Sequence, residues 1–272
     1  MASPVQTVRG HLFFSKHEAK HLEFALDYQP RDCDRILLVG PTSGVRYCLD
    51  VLTHLLNRTD KSVNGHYVYF LDLHGSRVVD SQRGERDAGK PTLMATHMTL
   101  NHMAYNSSPN YLIIIRNPKD VCLSLYRTWK SKTDRNLEFN AFFSMWINGR
   151  ELPYGDYFEA TKVHWEHRDR DNCTLITYES LIDSQKDSVV KMAQFLGKDY
   201  VNRLGVREGT GSDDSTTLLD RIIQTTDVKG DGMPGDWRAV LTQSQSDLID
   251  EKVRDEWMGT GLQSLWEREM QW

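Results

Sequence analysis

The sequence predicts an α/β fold with a central parallel sheet of about five strands flanked by helices. Five short runs are apolar on consecutive residues rather than on alternate ones, which is typical of parallel strands covered on both faces. Helical patterns lie between several of these runs, and this alternation of strand and helix indicates a parallel sheet. The runs are ILLVG at 36–40, YVYFLD at 67–72, TLMATH at 92–97, YLIIIRN at 111–117 and TLITYE at 174–179.

Two helices are predicted to follow strands directly. Apolar residues after Gly44 recur at the i, i+3, i+4, i+7 spacing of an amphipathic helix over about 45–56. Pro118 stands where the first turn of another helix would begin, a position at which its missing N–H is not needed. Asn117 before it is a residue type that caps helix N-termini. We therefore expect a second helix from 118 onwards.

The rest of the chain is predicted to be largely helical, with one loop-rich region. The segments are a helix over about 154–168, a helix over about 184–196 that ends at Gly197, loops around one short helix over 205–236, and a helical stretch from Trp237. The sequence shows neither internal repeats nor a linker between two parts. We expect a single domain over residues 1–272.

Composition narrows the class of protein. Lysine and arginine number 33 against 38 aspartate and glutamate, a net charge of −5, which argues against a general nucleic-acid binder. No apolar run approaches the ~20 residues that a membrane span needs. The four cysteines are scattered without a CxxC pair, so neither a disulfide framework nor a zinc site is expected. We expect a cytoplasmic protein that binds neither nucleic acid nor a membrane.

The turn GPTSGVRY at 40–47 joins the first predicted strand to a helix. A glycine-containing turn of this kind presents backbone N–H groups to an anion, although an ordinary strand-to-helix turn has the same form. A Walker A loop requires lysine and then serine or threonine after its second glycine. Gly44 is followed by Val45 and Arg46, so a metal-dependent nucleotide kinase is disfavoured.

Arg116, at the end of the predicted strand 111–115, indicates the kind of ligand. The carboxyl ends of parallel strands face the ligand crevice of an α/β sheet. A guanidinium there suits a phosphate that is held by charge without a metal ion. Ser124, in the following helix, adds a hydroxyl donor. The pattern favours a nucleotide that carries an extra phosphate group.

The segment YLIIIRNPKDVCLSLY at 111–126 resembles the RNPKDVxxSxY signature of cytosolic sulfotransferases. Other segments resemble motifs of that family in the same order along the chain. They are THMTLN at 96–101, YGDYFEATKVHWE at 154–166, LITYESL at 175–181, and GDW at 235–237 followed by DEKVRDEWMGTGL at 250–262. The resemblance implies the P-loop-NTPase-like sulfotransferase fold, with 3′-phosphoadenosine 5′-phosphosulfate as the co-substrate and no metal ion.

The resemblance also implies roles for residues of this chain. Arg116 and Ser124 would hold the 3′-phosphate of the donor, and His97 would be the catalytic base. The other implied donor-binding residues are Thr42, Ser43, Gly44, Val45, Arg46 and Tyr47 in the turn, Tyr178 at the adenine, Thr216 and Thr217 beside it, and Lys229 and Gly230 in a later loop.

The turn departs from the family pattern TYPKSGTTW. The family lysine that contacts the transferring sulfuryl group is Thr42 here, and the two threonines that donate to the 5′-phosphate are Val45 and Arg46. Either Arg46 replaces the lost cation, or the turn has diverged and catalysis is weak or lost. The expected activity is sulfuryl transfer, reduced by the change at Thr42, and the alternative is an inactive nucleotide-binding protein of the same fold.

The acceptor is less well specified by the sequence. An apolar pocket beside one base suits a small phenol, alcohol or aryl amine, whereas Asp72 or His74 would select a cationic amine. The candidate pocket residues are Phe14, Leu73 and Trp129. In the family's dimer segment, Gln243 replaces the key valine, so we expect a monomer or a weak homodimer.

Overall fold

The computed structural model describes most of the chain. The described residues are 3–40, 44–57, 69–103, 105–133, 137–149, 151–206, 216–226 and 232–272. The candidate donor residues Thr42, Ser43, Lys229 and Gly230 lie outside these ranges, so their assignments remain predictions from the sequence. All elements and contacts given below belong to the described residues.

The strands form a four-stranded parallel sheet and a separate antiparallel hairpin. They are β1 (Val5–Val8), β2 (His11–Phe14), β3 (Asp34–Val39), β4 (Thr92–Thr96), β5 (Asn110–Ile115) and β6 (Cys173–Thr177). The strand order of the sheet is β4-β3-β5-β6, and Leu37 of β3 pairs with Ala95 on one side and Leu112 on the other. The hairpin of β1 and β2 was not predicted from the sequence.

The predicted strand at 67–72 is reduced in the described residues to a single parallel bridge between Phe70 and Ala95. The N–H of Ala95 donates to the carbonyl of Tyr69 at 2.7 Å, so the chain begins to pair with the edge of the sheet. A short helix then begins at Leu71 and ends the pairing. In the described residues the sheet therefore has four strands, with Phe70 as the described remainder of the fifth. The helix that begins at Leu71 brings Asp72 to the end of β4.

Helices cover the sheet, and the helices that the sequence predicted are present. They are α1 (Ala19–Asp27), α2 (Val45–Leu55), α3 (Leu71–His74), α4 (Arg77–Asp80), α5 (Arg83–Asp87), α6 (Pro118–Lys132), α7 (Phe139–Ile147), α8 (Tyr157–Glu166), α9 (Tyr178–Asp183), α10 (Gln185–Leu196), α11 (Lys198–Arg203), α12 (Leu218–Thr225) and α13 (Gln243–Trp257). Short 3₁₀ turns cover Asp236–Ala239 and Leu262–Ser264. In the described ranges, no helix has both the length and the apolar character needed to cross a membrane.

Consecutive apolar residues of the central strands pack on opposite faces of the sheet. Ile36 and Leu38 of β3 join the core on one face, while Leu37 and Val39 join the core on the other. All four side chains are almost completely buried. The α/β fold with a parallel sheet covered on both faces is therefore confirmed.

The two helices that follow strands begin as the sequence predicted. Pro118 is the first residue of α6, and the side chain of Asn117 accepts a hydrogen bond from the N–H of Asp120 at 3.0 Å. Helix α2 begins directly after Gly44, whose φ is 76°, a conformation that glycine adopts without a steric penalty. Both helix N-termini therefore lie at the carboxyl edge of the sheet, where the strands end.

The free energy of unfolding is expected to fall in mildly acidic solution because of three histidines. Burial lowers the pKa of His17 to about 4, that of His102 to about 4 and that of His164 to about 3. The unfolded chain takes up protons near pH 6.5, whereas these folded side chains do not. Their contribution to stability is complete above pH ~6.5 and is lost as the pH falls from ~6.5 towards 4.

Thermal unfolding between about pH 7 and pH 5 measures this effect. The melting temperature is expected to decrease as the pH is lowered. His164→Leu is expected to make this decrease less steep, since one of the three groups no longer titrates. A melting temperature that stays constant over this range, or an unchanged slope in His164→Leu, would contradict the assignment to these histidines.

Candidate active site

The candidate site lies at one edge of the sheet, where residues directly follow the ends of the parallel strands. Gly40 follows β3, His97 follows β4, Arg116 follows β5 and Tyr178 follows β6. The carboxyl edge of such a sheet is where α/β proteins bind ligands. Gly40, His97 and Arg116 line one narrow cleft together with side chains of α6, α7 and α8. The fold therefore places His97 and Arg116 on the same cavity.

His97 is held on two sides by Asp72 of α3. Its Nδ1 lies 2.8 Å from Oδ2 of Asp72, and its main-chain N–H donates to Oδ1 of the same carboxylate at 3.2 Å. The ring of Phe70 stacks on the imidazole, with centroids 4.6 Å apart and planes inclined by 13°. These contacts fix the orientation of the imidazole and leave Nε2 as the ring nitrogen that Asp72 does not engage.

Asp72 is completely buried but is surrounded by hydrogen-bond donors. Tyr154 donates its hydroxyl to Oδ2 at 3.0 Å, in addition to the two groups of His97. Burial opposes ionisation, but the His97 ring and the hydrogen bonds from His97 and Tyr154 outweigh it and hold the pKa of Asp72 well below its usual range. Because the carboxylate of Asp72 is buried and bound by these partners, it is not available to select a cationic amine.

Tyr154 has a backbone conformation that is uncommon for a residue with a side chain. Its φ is 68°, in the left-handed region that favours glycine. Its N–H donates to the carbonyl of Leu12 at 2.7 Å, which ties it to β2. Its hydroxyl lies 3.2 Å from Nδ1 of His17, and its ring centroid lies 5.3 Å from that of His97. Tyr154 is the first residue of the segment YGDYFEATKVHWE, whose sequence did not predict a role for it.

Arg116 and Tyr178, two residues that the resemblance assigns to the donor, contact each other. Arg116 is 2% exposed, and its guanidinium carbon lies 3.9 Å from the centroid of the Tyr178 ring, a cation–π arrangement. Nη2 of Arg116 donates to the carbonyl of Gly232 at 3.4 Å, and the Tyr178 hydroxyl donates to the same carbonyl at 2.5 Å. The chain at Gly232, three residues before the GDW segment, therefore contacts two candidate donor residues.

Gly44 brings the end of the strand-to-helix turn against Tyr178. A Cβ added at Gly44 would lie 3.0 Å from the ring of Tyr178 and 3.0 Å from the side chain of Leu181. Any other residue would be crowded there as well as strained, because φ is positive. The described end of the 40–47 turn therefore lies beside a candidate donor residue.

Four other candidate donor residues differ in exposure. Ser124 is buried in the second turn of α6. Arg46 is exposed in the first turn of α2, and Val45 before it is partly buried. Tyr47 is almost completely buried in the core on one face of the sheet, and burial raises the pKa of its hydroxyl to about 12. Stacking of Tyr47 on an adenine stays a prediction.

Thr217 caps helix α12. Its hydroxyl donates to Oδ2 of Asp220 at 2.7 Å and accepts from the N–H of Asp220 at 3.2 Å. The N–H of Thr217 donates to Oδ2 of Asp220 at 3.3 Å, which completes a capping box. Thr216 precedes the cap and is partly buried. The contact of these two threonines with the adenine stays a prediction.

The three candidate acceptor residues, Phe14, Leu73 and Trp129, are not among the residues that line the cleft of His97 and Arg116. The ring centroid of Phe14 lies 6.0 Å from that of Trp129 and 6.4 Å from that of Tyr154. Phe14 and Trp129 are almost completely buried and belong to the same hydrophobic core as Tyr154. Leu73 is partly buried in α3.

A buried polar network lies directly behind the strand ends, and sequence analysis did not predict it. One oxygen of Glu179 accepts from the N–H of Asn117 at 2.9 Å, and its other oxygen accepts from the indole N–H of Trp266 at 2.8 Å. Asp120 accepts from Nδ2 of Asn117 at 2.6 Å and from the N–H of Gly235 at 2.8 Å. Burial raises the pKa of Glu179 against the opposing effect of its hydrogen bonds. Asn117 and Glu179 each follow a candidate donor residue directly, so the network fixes the backbone of both.

Known proteins with similar sequences are sulfotransferases. A family model described as "Sulfotransferase domain" matches residues 33–261. Sulfotransferase 2A6 of Mus musculus is 26% identical over 251 residues, which cover 84% of this chain and 86% of that protein. The 3-beta-hydroxysteroid sulfotransferase of Cavia porcellus is 24% identical over 250 residues, which cover 84% of this chain and 85% of that protein.

Solved structures share the fold. Mouse sulfotransferase SULT7A1 complexed with PAP matches with a TM-score of 0.70 at 18% identity, covering 96% of this chain and 97% of that chain. Retinol dehydratase in complex with androsterone and the inactive cofactor PAP matches with a TM-score of 0.64 at 15% identity, covering 94% of this chain and 91% of that chain. The sheet and its strand-end cleft thus define an α/β protein of this fold. Because the family model spans most of the sequence, the chain belongs to the sulfotransferase-domain family.

Lys119 of the RNPKD segment is expected to anchor the C-terminal part of the chain to α6. Its ammonium group is buried, donates to Oγ of Ser246 at 2.7 Å and to the carbonyl of Met270, and lies 2.8 Å from Oδ1 of Asp250. Lys119→Met leaves these acceptors without their donor, so the free energy of unfolding should fall by about 1–3 kcal/mol.

Urea unfolding of Lys119→Met and of Lys130→Met measures this contribution. Lys130 is exposed on the same helix, and its replacement should change the free energy of unfolding by no more than about 0.5 kcal/mol. Equal losses in the two variants would show that the buried contacts of Lys119 do not stabilise the fold.

Proposed function

We propose that this chain transfers a sulfuryl group from 3′-phosphoadenosine 5′-phosphosulfate to a hydroxyl or amine of a small acceptor. The observation that carries the proposal is the position of His97 and Arg116 on one cleft, at the ends of two strands that flank β3. His97 offers a base and Arg116 offers a buried cation. A base for the acceptor and a cation for an anionic donor are what direct group transfer requires.

On the donor side, we assign the 3′-phosphate to Arg116 and Ser124. The contact with Tyr178 holds the guanidinium in one orientation, and its charge suits a phosphate without a metal ion. The structures of SULT7A1 and retinol dehydratase with PAP support a donor of this class. The other proposed donor residues are those of the turn 42–47, together with Tyr178, Thr216, Thr217, Lys229 and Gly230.

On the acceptor side, we propose a small phenol, alcohol or aryl amine. Its pocket would include Phe14, Leu73 and Trp129, of which Phe14 packs against Tyr154, the tyrosine beside His97. The relatives support an apolar molecule with a hydroxyl group, since one is named a 3-beta-hydroxysteroid sulfotransferase and a solved neighbour holds androsterone.

His97 is the proposed general base of a direct in-line displacement. The acceptor oxygen or nitrogen attacks sulfur while His97 takes its proton, and the bond from sulfur to the bridging oxygen of the donor breaks. Positioning and charge stabilisation supply most of the catalysis in the related transfer of phosphoryl groups. Thr42 offers a hydroxyl but no charge to the transferring group, so we propose a slower reaction than a lysine would give.

An inactive nucleotide-binding protein is not favoured as the alternative. The relatives described above are named as sulfotransferases, and this chain keeps a histidine and a buried arginine on one cleft. We further propose that the protein works in the cytoplasm, as a single domain and as a monomer or a weak homodimer.

The donor assignment predicts that adenosine 3′,5′-bisphosphate binds more tightly than 5′-AMP and without Mg²⁺. Arg116→Ala removes a charged hydrogen bond to the 3′-phosphate, which is worth about 1.5–3 kcal/mol, so affinity for the bisphosphate should fall by about tenfold or more. Isothermal calorimetry measures both affinities. Arg83→Ala, at an exposed arginine of α5, is the matched control and should bind as the unchanged protein does. Equal affinities for the two nucleotides would contradict the donor assignment.

The base assignment predicts that His97→Asn loses turnover by about 10²–10⁴-fold while nucleotide affinity stays nearly unchanged. Mass spectrometry of sulfated products from pooled phenols, alcohols and aryl amines provides the assay and also searches for the acceptor. His54→Asn, at an exposed histidine of α2, is the control. A His97→Asn variant with near-normal turnover would show that His97 has only a structural role.

A further inference from the structure

We propose that Asp72 is the positioning residue of the candidate base, holding the imidazole of His97 with its proton on Nδ1 so that the unprotonated Nε2 faces the acceptor. The inference rests on the proposed role of His97 as the base. It concerns a carboxylate that lies 25 residues away from that histidine in sequence and outside the motifs that identify the family.

The geometry leaves the imidazole one orientation. The two oxygens of Asp72 bind the same residue at two points, the ring Nδ1 at 2.8 Å and the main-chain N–H at 3.2 Å. The ring of Phe70 lies nearly parallel to the imidazole, 4.6 Å away, and blocks one of its faces. Rotation of the ring about its Cβ–Cγ bond would break the Nδ1 contact. The fully buried carboxylate of Asp72 would then lose one of its hydrogen-bond donors, which is costly.

The hydrogen bonds around Asp72 determine which tautomer His97 adopts. An ionised carboxylate only accepts hydrogen bonds, so the atom that His97 presents to Oδ2 must be Nδ1–H. The Tyr154 hydroxyl also donates to Oδ2, at 3.0 Å. Because its single proton is used there, Tyr154 can only accept from Nδ1–H of His17, 3.2 Å away. The low pKa of Asp72 is consistent with a carboxylate that stays ionised.

This arrangement supports the reaction at the moment of proton transfer. When the acceptor O–H attacks sulfur, its proton moves to Nε2 of His97 and the electron pair of the breaking S–O bond leaves with the bisphosphate. The imidazolium that forms is stabilised by the adjacent carboxylate, which keeps its negative charge. The proton on Nε2 passes to water after the product leaves, and the site returns to its initial state.

The benefit from Asp72 depends on the acidity of the acceptor. An aliphatic alcohol keeps its proton until the base removes it, so it needs a well-oriented imidazole. An acidic phenol such as 4-nitrophenol is about half ionised near neutral pH and depends far less on a base. Loss of the carboxylate should therefore slow sulfation of alcohols far more than sulfation of 4-nitrophenol.

The first measurement requires only the unchanged protein. ¹⁵N NMR of histidine-labelled protein, with the His97 signals identified by their loss in His97→Asn, reports which ring nitrogen carries the proton. We expect the neutral Nδ1–H tautomer at His97, and an Nε2–H tautomer would overturn the proposal. This result does not depend on finding an acceptor, so failure of the sulfotransferase assignment and failure of the Asp72 assignment are distinguishable.

The second measurement compares Asp72→Asn with Asp34→Asn. Asp34 is also a completely buried carboxylate and accepts from Tyr28 at 2.8 Å and from Thr92 at 2.7 Å. It is the first residue of β3 and therefore lies at the edge of the sheet away from the candidate site. Both variants should melt at lower temperature. Asp72→Asn alone should give mixed tautomers at His97 and lower the rate with an aliphatic alcohol by about 10²–10⁴-fold, but with 4-nitrophenol by less than about tenfold.

Three outcomes would overturn the positioning role. The first is an unchanged His97 tautomer in folded Asp72→Asn. The second is an equal loss of rate with the alcohol and with 4-nitrophenol. The third is the same alcohol-specific loss in Asp34→Asn, which would indicate a general effect of removing a buried charge. If Asp72→Asn does not fold, the tautomer in the unchanged protein decides the question.

Discussion

The hydrogen bonds between Asn117 and Glu179 are the constraint on which the arrangement of the site depends. They join the start of α6 to the start of α9 behind the carboxyl edge of the sheet, in surroundings that are almost fully buried. Arg116 immediately precedes one partner and Tyr178 immediately precedes the other. Because both backbones are fixed at neighbouring strand ends, the guanidinium of Arg116 lies over the phenol ring of Tyr178.

This constraint changes how the RNPKD segment is understood. Only its arginine lines the cleft, whereas Asn117 caps α6 and Asp120 holds the N–H groups of Gly235 and Trp237. Lys119 points into the C-terminal part of the chain. A segment that looks like a ligand-binding motif in sequence is therefore mainly a structural junction, where buried polar groups are satisfied by one another. Most of it positions the binding group rather than binding.

The sequence predicted what depends on local pattern and missed what depends on distant contacts. Consecutive apolar residues identified the four paired strands, and Asn117 with Pro118 identified the start of α6. The predicted strand at 67–72 instead gives way to a helix at Leu71, because an apolar run signals burial without specifying backbone conformation. Asp72 could not be connected with His97 for the same reason, since the contact exists only because that helix turns back to the end of β4.

The N-terminal hairpin has a consequence for how this chain diverges from its relatives. It precedes the residues that the family model matches, yet its Leu12 carbonyl holds the backbone of Tyr154, and Phe14 packs on the same tyrosine and on Trp129. Changes in the hairpin therefore reach the His97 side of the cleft while the segments around Arg116 stay as they are. A substitution in the hairpin therefore changes the packing of Tyr154 beside His97 although it lies outside the stretch that the family model matches.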